Sequence, residues 1–241
     1  HRDLHYPLRR QRQMCIRDRF DTASIWHWKD GKLTKKHSVK FPSSLGLFYS
    51  AMTAHVGLKP MEDEYVLMGM AAYGDPIEGK RLSRQMGKDH FFFHHAWISN
   101  KQSLRGSGNL QRGLKSDMYS EYDDFTIAYA AQNQVEKRVM SYAEYARDVT
   151  GSENLVFMGG VALNCVANSR LFDLGYKNIH IMPNPGDAGS SLGAAALHQY
   201  NTTGKKINWN GPYLGHNIEG PYPIKKAVSY THLTLPTKRI V

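Results

Sequence analysis

Between Asn154 and Tyr200 the chain passes twice from a short apolar run to a segment with helical spacing, and a glycine-rich turn stands at each change. Asn154-Leu155-Val156-Phe157-Met158 runs into Gly159-Gly160, a pattern that predicts a parallel strand buried on both faces. Val161, Leu163, Val166, Leu171 and Leu174 then recur at helical spacing as far as Gly175, which stands where a helix stops. Asn178 to Met182 reads as a second strand, Pro183 to Gly189 as a second turn, and Ser190 to Tyr200 as a small-residue helix packed close to the sheet. The order is βαβα, and ligands of such sheets sit at the carboxyl ends of the strands, where both turns lie.

Upstream the period shifts. Thr22 to Trp28 and Leu33 to Phe41 flank Lys29-Asp30-Gly31-Lys32, and an Asp-Gly between alternating runs predicts a hairpin. Ser44 is placed to cap a helix that carries Leu45, Leu47, Phe48, Met52 and Val56 on one face, and Gly57 ends it. Val66 to Gly74 is an apolar segment closing in a turn. Residues 75–117 are polar, basic and weakly periodic, with short strand candidates such as Phe91-Phe92-Phe93, and read as an insertion or lid. Helix signals return from Ser120 to Val149, where Ile127, Ala131, Val135, Val139 and Tyr142 form a stripe and Asp123 and Asp124 suit the N-terminal end. Asn201 to Gly220 is a Gly/Asn-rich exit.

Neither end of the chain follows any of these periods. Residues 1–19 resemble the translation of a transposon-based sequencing adapter, and residues 228–241 resemble its reverse complement. The two ends also predict each other: the barcode that encodes Tyr6-Pro7-Leu8, reversed, encodes Lys238-Arg239-Ile240. Both ends are therefore set aside as non-native. The formal charge of +10 then falls, since residues 1–19 carry six Arg against two Asp and the tail adds Lys238 and Arg239, leaving +4 for residues 20–227. That balance gives no reason to expect a nucleic-acid partner, whereas a charge-only reading of the intact chain suggests a basic tail bound to nucleic acid. Cys165 remains as the one cysteine, so no disulfide framework forms within 20–227, and a reducing, cytoplasmic setting with no membrane partner is expected.

Several side chains carry candidate chemistry. Gly159, Gly160, Gly186 and Gly189 suit either tight turns with close helix–sheet packing or a nucleotide cradle in which backbone N–H groups meet phosphates. Asn164 and Asn168 share one face of the expected helix, as ligand contacts or as a solvent face and local cap. Asp187 follows Gly186 and precedes a helix, which suits an N-cap as well as a metal ligand. His90, His94 and His95 lie in the polar region without a metal-ligand pattern, and Cys165 reads as a small buried side chain.

Four segments taken together resemble the carbamoyltransferase family that includes nodulation-factor and antibiotic O-carbamoyltransferases. Phe41-Pro42-Ser43-Ser44-Leu45-Gly46-Leu47-Phe48-Tyr49-Ser50 is similar to that family's FPHSLGLLYS segment, and Val66 to Gly74 to its K-x-MGLAxYG segment. Phe157 to Asn168 is similar to its GGVALNxxxN, and Pro183 to Ala195 to its PxxGDAGxxxGAA. The resemblance implies an incomplete α/β, actin/sugar-kinase-like (ribonuclease H-like) core with a mixed sheet flanked by helices, related to the universal tRNA threonylcarbamoyl transferase. Residues 20–204 would form part of the catalytic domain, and 205–227 would lead toward an adenylate-forming C-terminal domain that is missing.

In the family that second domain makes carbamoyl-adenylate from ATP and carbamoyl phosphate, and the first domain, with a divalent metal, passes the carbamoyl group to an acceptor hydroxyl. The resemblance thus implies Asp187 as a metal ligand, and Fe(II), Mn, Zn or Mg as the metal. The histidine ligands of an HHxxH-like motif, and the first strand of this half of the core, would lie upstream of Phe20. The resemblance also implies Gly159, Gly160, Asn164, Asn168, Gly186 and Gly189 as the nucleotide site, a small-molecule or sugar-containing hydroxyl acceptor, and leaves a homodimer open. Val66 departs from the family pattern, which has Lys at that place. A sugar-kinase-like phosphotransferase and a nucleotide-binding fragment without turnover are the competing expectations.

Overall fold

The computed structural model describes residues 21–40, 43–90, 119–209 and 211–212. The chain divides into two compact units, residues 1–194 and 195–241. The adapter-like ends, Phe91 to Phe93, His94 and His95 lie outside the described residues.

The first unit opens with β1 (Asp21–Lys29) and β2 (Lys32–Lys40), an antiparallel hairpin. Its turn residues Asp30 and Gly31 have φ of 51° and 74°, the left-handed pair that an Asp-Gly hairpin needs. Ile25 and Val39 are buried on the inner face, and His37 meets Tyr145 edge-on at 5.1 Å. Helix α1 (Leu45–His55) follows, with the Ser44 hydroxyl accepting from the Leu47 N–H at 3.2 Å as its cap. Phe48 and Met52 sit in the core with no exposure. A short helix α2 (Glu64–Met70) buries Leu67 and tightens into a 3₁₀ turn at Ala71–Tyr73.

The region read as a polar, weakly periodic insertion, 75–117, opens in a helix that its sequence pattern did not predict. Helix α3 spans Pro76–His90, with Pro at its first position and the Asp75 carboxylate accepting from the Ile77 and Glu78 N–H groups at 2.7 and 2.9 Å. Its buried face is Gly79, Leu82, Ser83 and Met86, a helical stripe that holds only two large apolar residues and so looks aperiodic in sequence. Ser83 bonds Asn133 Oδ1 at 2.9 Å and accepts from Gln134 Nε2 at 3.0 Å, so part of this interface is polar.

The organising element is helix α4 (Asp124–Thr150), against which α1, α2 and α3 pack. Asp123 caps it through bonds from the Phe125 and Thr126 N–H groups at 3.0 Å, and Gly151 at φ 65° ends it. The expected stripe holds: Ile127, Ala131, Val135 and Val139 are buried and Tyr142 is half-buried.

Strand β3 (Asn154–Phe157) and strand β4 (Asn178–Ile181) then pair in parallel, Asn154 opposite Asn178. They are not covered on both faces. Leu155, Phe157, Ile179 and Ile181 pack on the core, whereas Val156 is 62% exposed, because among the described residues no layer lies on the far face. The single helix expected from Val161 to Leu174 is likewise broken, into a 3₁₀ turn (Gly160–Leu163), helix α5 (Cys165–Ser169) and a second 3₁₀ turn (Arg170–Leu174). The break is at Asn164, whose ψ of 91° is extended and which caps α5 instead of lying inside a helix. Cys165, expected to be buried, opens α5 exposed, and Gly175 ends the segment at φ 71° as expected.

The last helix, α6 (Ser190–Thr203), runs over the boundary between the two units and carries no buried residue. In the second unit it ends at Gly204, φ 69°. No described helix is long and apolar enough to cross a membrane.

Candidate functional site at the two glycine turns

Parallel pairing sets the carboxyl ends of β3 and β4 side by side, and the two glycine turns meet there. The Gly159 N–H donates to the Pro185 carbonyl oxygen at 2.8 Å, which ties the first turn to the second. Gly159 has φ 106°, a conformation that side chains avoid, and its own carbonyl accepts from the Ala162 N–H at 3.0 Å to start the 3₁₀ turn. Gly186 lies against Leu163, where a Cβ would sit 3.8 Å from Cδ1. At Gly189 the constraint is steric, since a Cβ would fall 1.9 Å from the Asn184 carbonyl oxygen. Gly160 is exposed and a Cβ added there would meet nothing within 4 Å, so the fold does not demand glycine at that position. The structure therefore brings Gly159, Gly160, Gly186 and Gly189 into one junction, with two of the four required by the backbone.

Asn164 closes the first turn. Its N–H donates to the Val161 carbonyl at 3.0 Å and its Oδ1 accepts from the Ala167 N–H at 2.9 Å. Its side-chain amide also forms a reciprocal pair with Gln132: Nδ2 to Gln132 Oε1 at 2.8 Å, and Gln132 Nε2 to Asn164 Oδ1 at 3.1 Å. Tyr49 Oη donates to the same Gln132 Oε1 at 2.9 Å. Burial pushes the Tyr49 phenol above its ordinary range, against a smaller opposing effect of the hydrogen bond with Asn164. Asn168 lies within α5, and its Nδ2 donates to the Ala162 carbonyl at 2.7 Å, bracing the turn from below.

Asp187 is exposed at the start of a 3₁₀ turn (Asp187–Gly189), and its carbonyl accepts from the Ser190 hydroxyl at 2.6 Å. Among the described residues no three His, Cys, Asp or Glu side chains stand together as a metal group, so Asp187 brings one carboxylate and not a complete ligand set.

Gln132 and Tyr49 were not legible as site residues. Gln132 interrupts the apolar row of α4 one turn after Ala128, and a buried polar residue in such a row was the available signal.

Residues 13–196 match the family described as carbamoyltransferase N-terminus. The chain belongs to the carbamoyltransferase family. It is 36% identical over 213 residues to the uncharacterized protein sll1178 of Synechocystis sp., covering 80% of this chain and 34% of that protein. Against nodulation protein NolO of Bradyrhizobium diazoefficiens it is 32% identical over 166 residues, covering 66% of this chain and 29% of NolO. Nodulation protein NolNO of Sinorhizobium fredii is 30% identical over 166 residues, covering 65% of this chain and 23% of NolNO. The chain thus spans about a third or less of the length of these relatives. The family range includes residues 41–50, Val66 to Gly74 and both glycine turns, so the segments that carried the resemblance fall inside it.

Proposed function

We propose that this chain is part of an ATP-dependent O-carbamoyltransferase. Carbamoyl phosphate, ATP and water yield carbamoyl-adenylate, phosphate and pyrophosphate; an acceptor hydroxyl then takes the carbamoyl group and AMP leaves. The observation that carries this reading is the bond from Gly159 to Pro185, which closes two glycine turns into one cradle at the carboxyl ends of two parallel strands, within a carbamoyltransferase family match. Gly159, Gly160, Asn164, Asn168, Gly186 and Gly189 form the adenylate side of that cradle, and the acceptor is a small-molecule or sugar-containing alcohol. Asp187 supplies one ligand to a divalent metal, Fe(II), Mn, Zn or Mg, whose other ligands come from outside the described residues. The fold belongs to an actin/sugar-kinase-like core with a mixed sheet flanked by helices, of which the described residues hold one antiparallel and one parallel strand pair.

The test is to recover the gene with its flanking DNA and assay the product with carbamoyl phosphate, ATP and a panel of sugar alcohols. Carbamoylated product with AMP supports the reading. Phosphorylated acceptor with ADP would assign the chain to the sugar-kinase-like alternative, and the absence of an HHxxH-like motif upstream would remove the metal assignment.

A further inference from the structure

We infer that Gln132 is a positioning residue for the adenylate cradle, acting through Asn164; the inference rests on the reading of the Gly159–Asn164 turn as that cradle. The Gln132 side chain is 4% exposed, and a carboxamide offers two acceptor sites and two N–H donors. All four are used. Oε1 accepts from Tyr49 Oη on α1 and from Asn164 Nδ2, and Nε2 donates to Asn164 Oδ1 and to Glu136 Oε1, the last at 3.1 Å. Glu136 is held in turn by Arg170, Nε to Oε2 3.8 Å, so the amide is braced from α1, from the next turn of α4 and from the segment after α5.

Asn164 is the receiver of this bracing. Its Oδ1 is shared between Gln132 and the Ala167 N–H, and its own N–H closes the 3₁₀ turn. The side chain is thus committed inward, and what it sets is the course of the turn backbone between Gly159 and Asn164. Replacing Gln132 by an apolar side chain of equal length leaves the Asn164 amide and the Tyr49 hydroxyl without their partner, and a half-satisfied buried network relaxes to another arrangement. A cradle displaced by about 1 Å holds a bound adenylate poorly even though the fold survives.

The consequence is uncoupling. Carbamoyl-adenylate held in place passes its carbamoyl group to the acceptor oxygen, breaking the bond to phosphate and releasing AMP. Adenylate that escapes reacts with water, giving AMP and carbamate. In the full-length wild-type enzyme, AMP and carbamoylated product should form in a ratio near one. Gln132→Met should raise that ratio to roughly ten, so that about nine of every ten adenylates are lost to water, with the rate of carbamoyl-dependent pyrophosphate release unchanged. Gln132→Glu keeps the size and the acceptor of Tyr49 but loses both donors and faces Glu136; it should uncouple as well, and it serves if the Met variant does not fold. AMP in excess over product in a folded Gln132 variant, with Asn164→Ala also uncoupled, supports the assignment. A ratio near one in a folded Gln132 variant, or equal losses of pyrophosphate release and product, overturns it and leaves Gln132 a structural residue only. Wild-type enzyme that releases no carbamoyl-dependent pyrophosphate overturns the underlying adenylate reading instead.

Discussion

Asn184 and Gly189 approach so closely that a Cβ on the glycine would lie 1.9 Å from the asparagine carbonyl oxygen. The contact pins the start of α6 to the second glycine turn and fixes where Asp187 stands between them.

Gly189→Ala is therefore expected to destabilise the chain by about 1–3 kcal/mol, since backbone and not a movable side chain must give way. Gly193 provides the contrast, because a Cβ there meets nothing within 4 Å. Gly193→Ala, in the helix that follows, should be neutral or stabilising by about 0.5–1 kcal/mol. Urea midpoints of the two variants decide the matter, and equal midpoints would remove the steric argument.

A second pair of glycines separates backbone from side-chain obstruction at the seam between α3 and α4. A Cβ at Gly74 would lie 2.4 Å from the Phe125 carbonyl oxygen, whereas at Gly79 it would meet the Tyr129 ring at 2.3 Å. Both Ala variants should be destabilised. Adding Tyr129→Ala should recover part of the loss for Gly79→Ala by opening space, while the Phe125 carbonyl still blocks Gly74→Ala. The double-mutant cycles should give a coupling of roughly 1 kcal/mol at Gly79 and little at Gly74.

These glycines also explain what the sequence hid. The hairpin, α1, α4 and both strands were legible because each combined a periodic apolar pattern with a local signal: Asp30-Gly31, Ser44, Asp123, Gly175. Helix α3 was not, because its buried face is a glycine, a serine and two apolar residues, and the fit depends on Tyr129, Asn133 and Gln134 of a distant helix. The break at Asn164 was hidden for a related reason. Apolar spacing runs on through Val161 to Leu174, and only the tie to Gln132 and the cap on Ala167 favour an extended residue within it. The glycine junction itself was legible, but its bracing arises from Tyr49 and from Gln132, the latter 32 positions before the Asn164 it holds.

The cap of α4 titrates. The Asp123 carboxyl is held below its ordinary value first by the Thr126 hydroxyl, which donates at 2.7 Å, and then by the Thr126 and Phe125 N–H groups. A carboxyl lowered by folding contributes stability that is present above its unfolded value and is lost as pH falls through the folded one. The window thus lies below the ordinary carboxylate range, and the exposed position keeps the effect small. Asp123→Asn should preserve most of the cap near neutral pH and flatten the acid limb of the stability curve. Asp123→Ala should cost about 1 kcal/mol at neutral pH. An unchanged acid limb in Asp123→Asn counts against this account.

The far face of β3 gives a prediction that differs between this chain and the longer protein proposed for it. Val156 is 62% exposed and Met158 45% exposed, while Leu155 packs on the core. Parallel strands are ordinarily covered on both sides, so an open apolar face on such a pair favours association with other chains. In the chain alone, Val156→Lys should change stability by less than about 0.5 kcal/mol and reduce aggregation measured by light scattering, whereas Leu155→Ala should cost about 2 kcal/mol. In a full-length protein whose sheet is flanked by helices on both faces Val156 would be buried, and the same lysine substitution would leave a charge against apolar surface, costing several-fold more than in the chain alone. If Val156→Lys is equally harmless in both settings, the face stays open in the longer protein as well, and the proposal of a sheet flanked by helices on both faces fails at this strand.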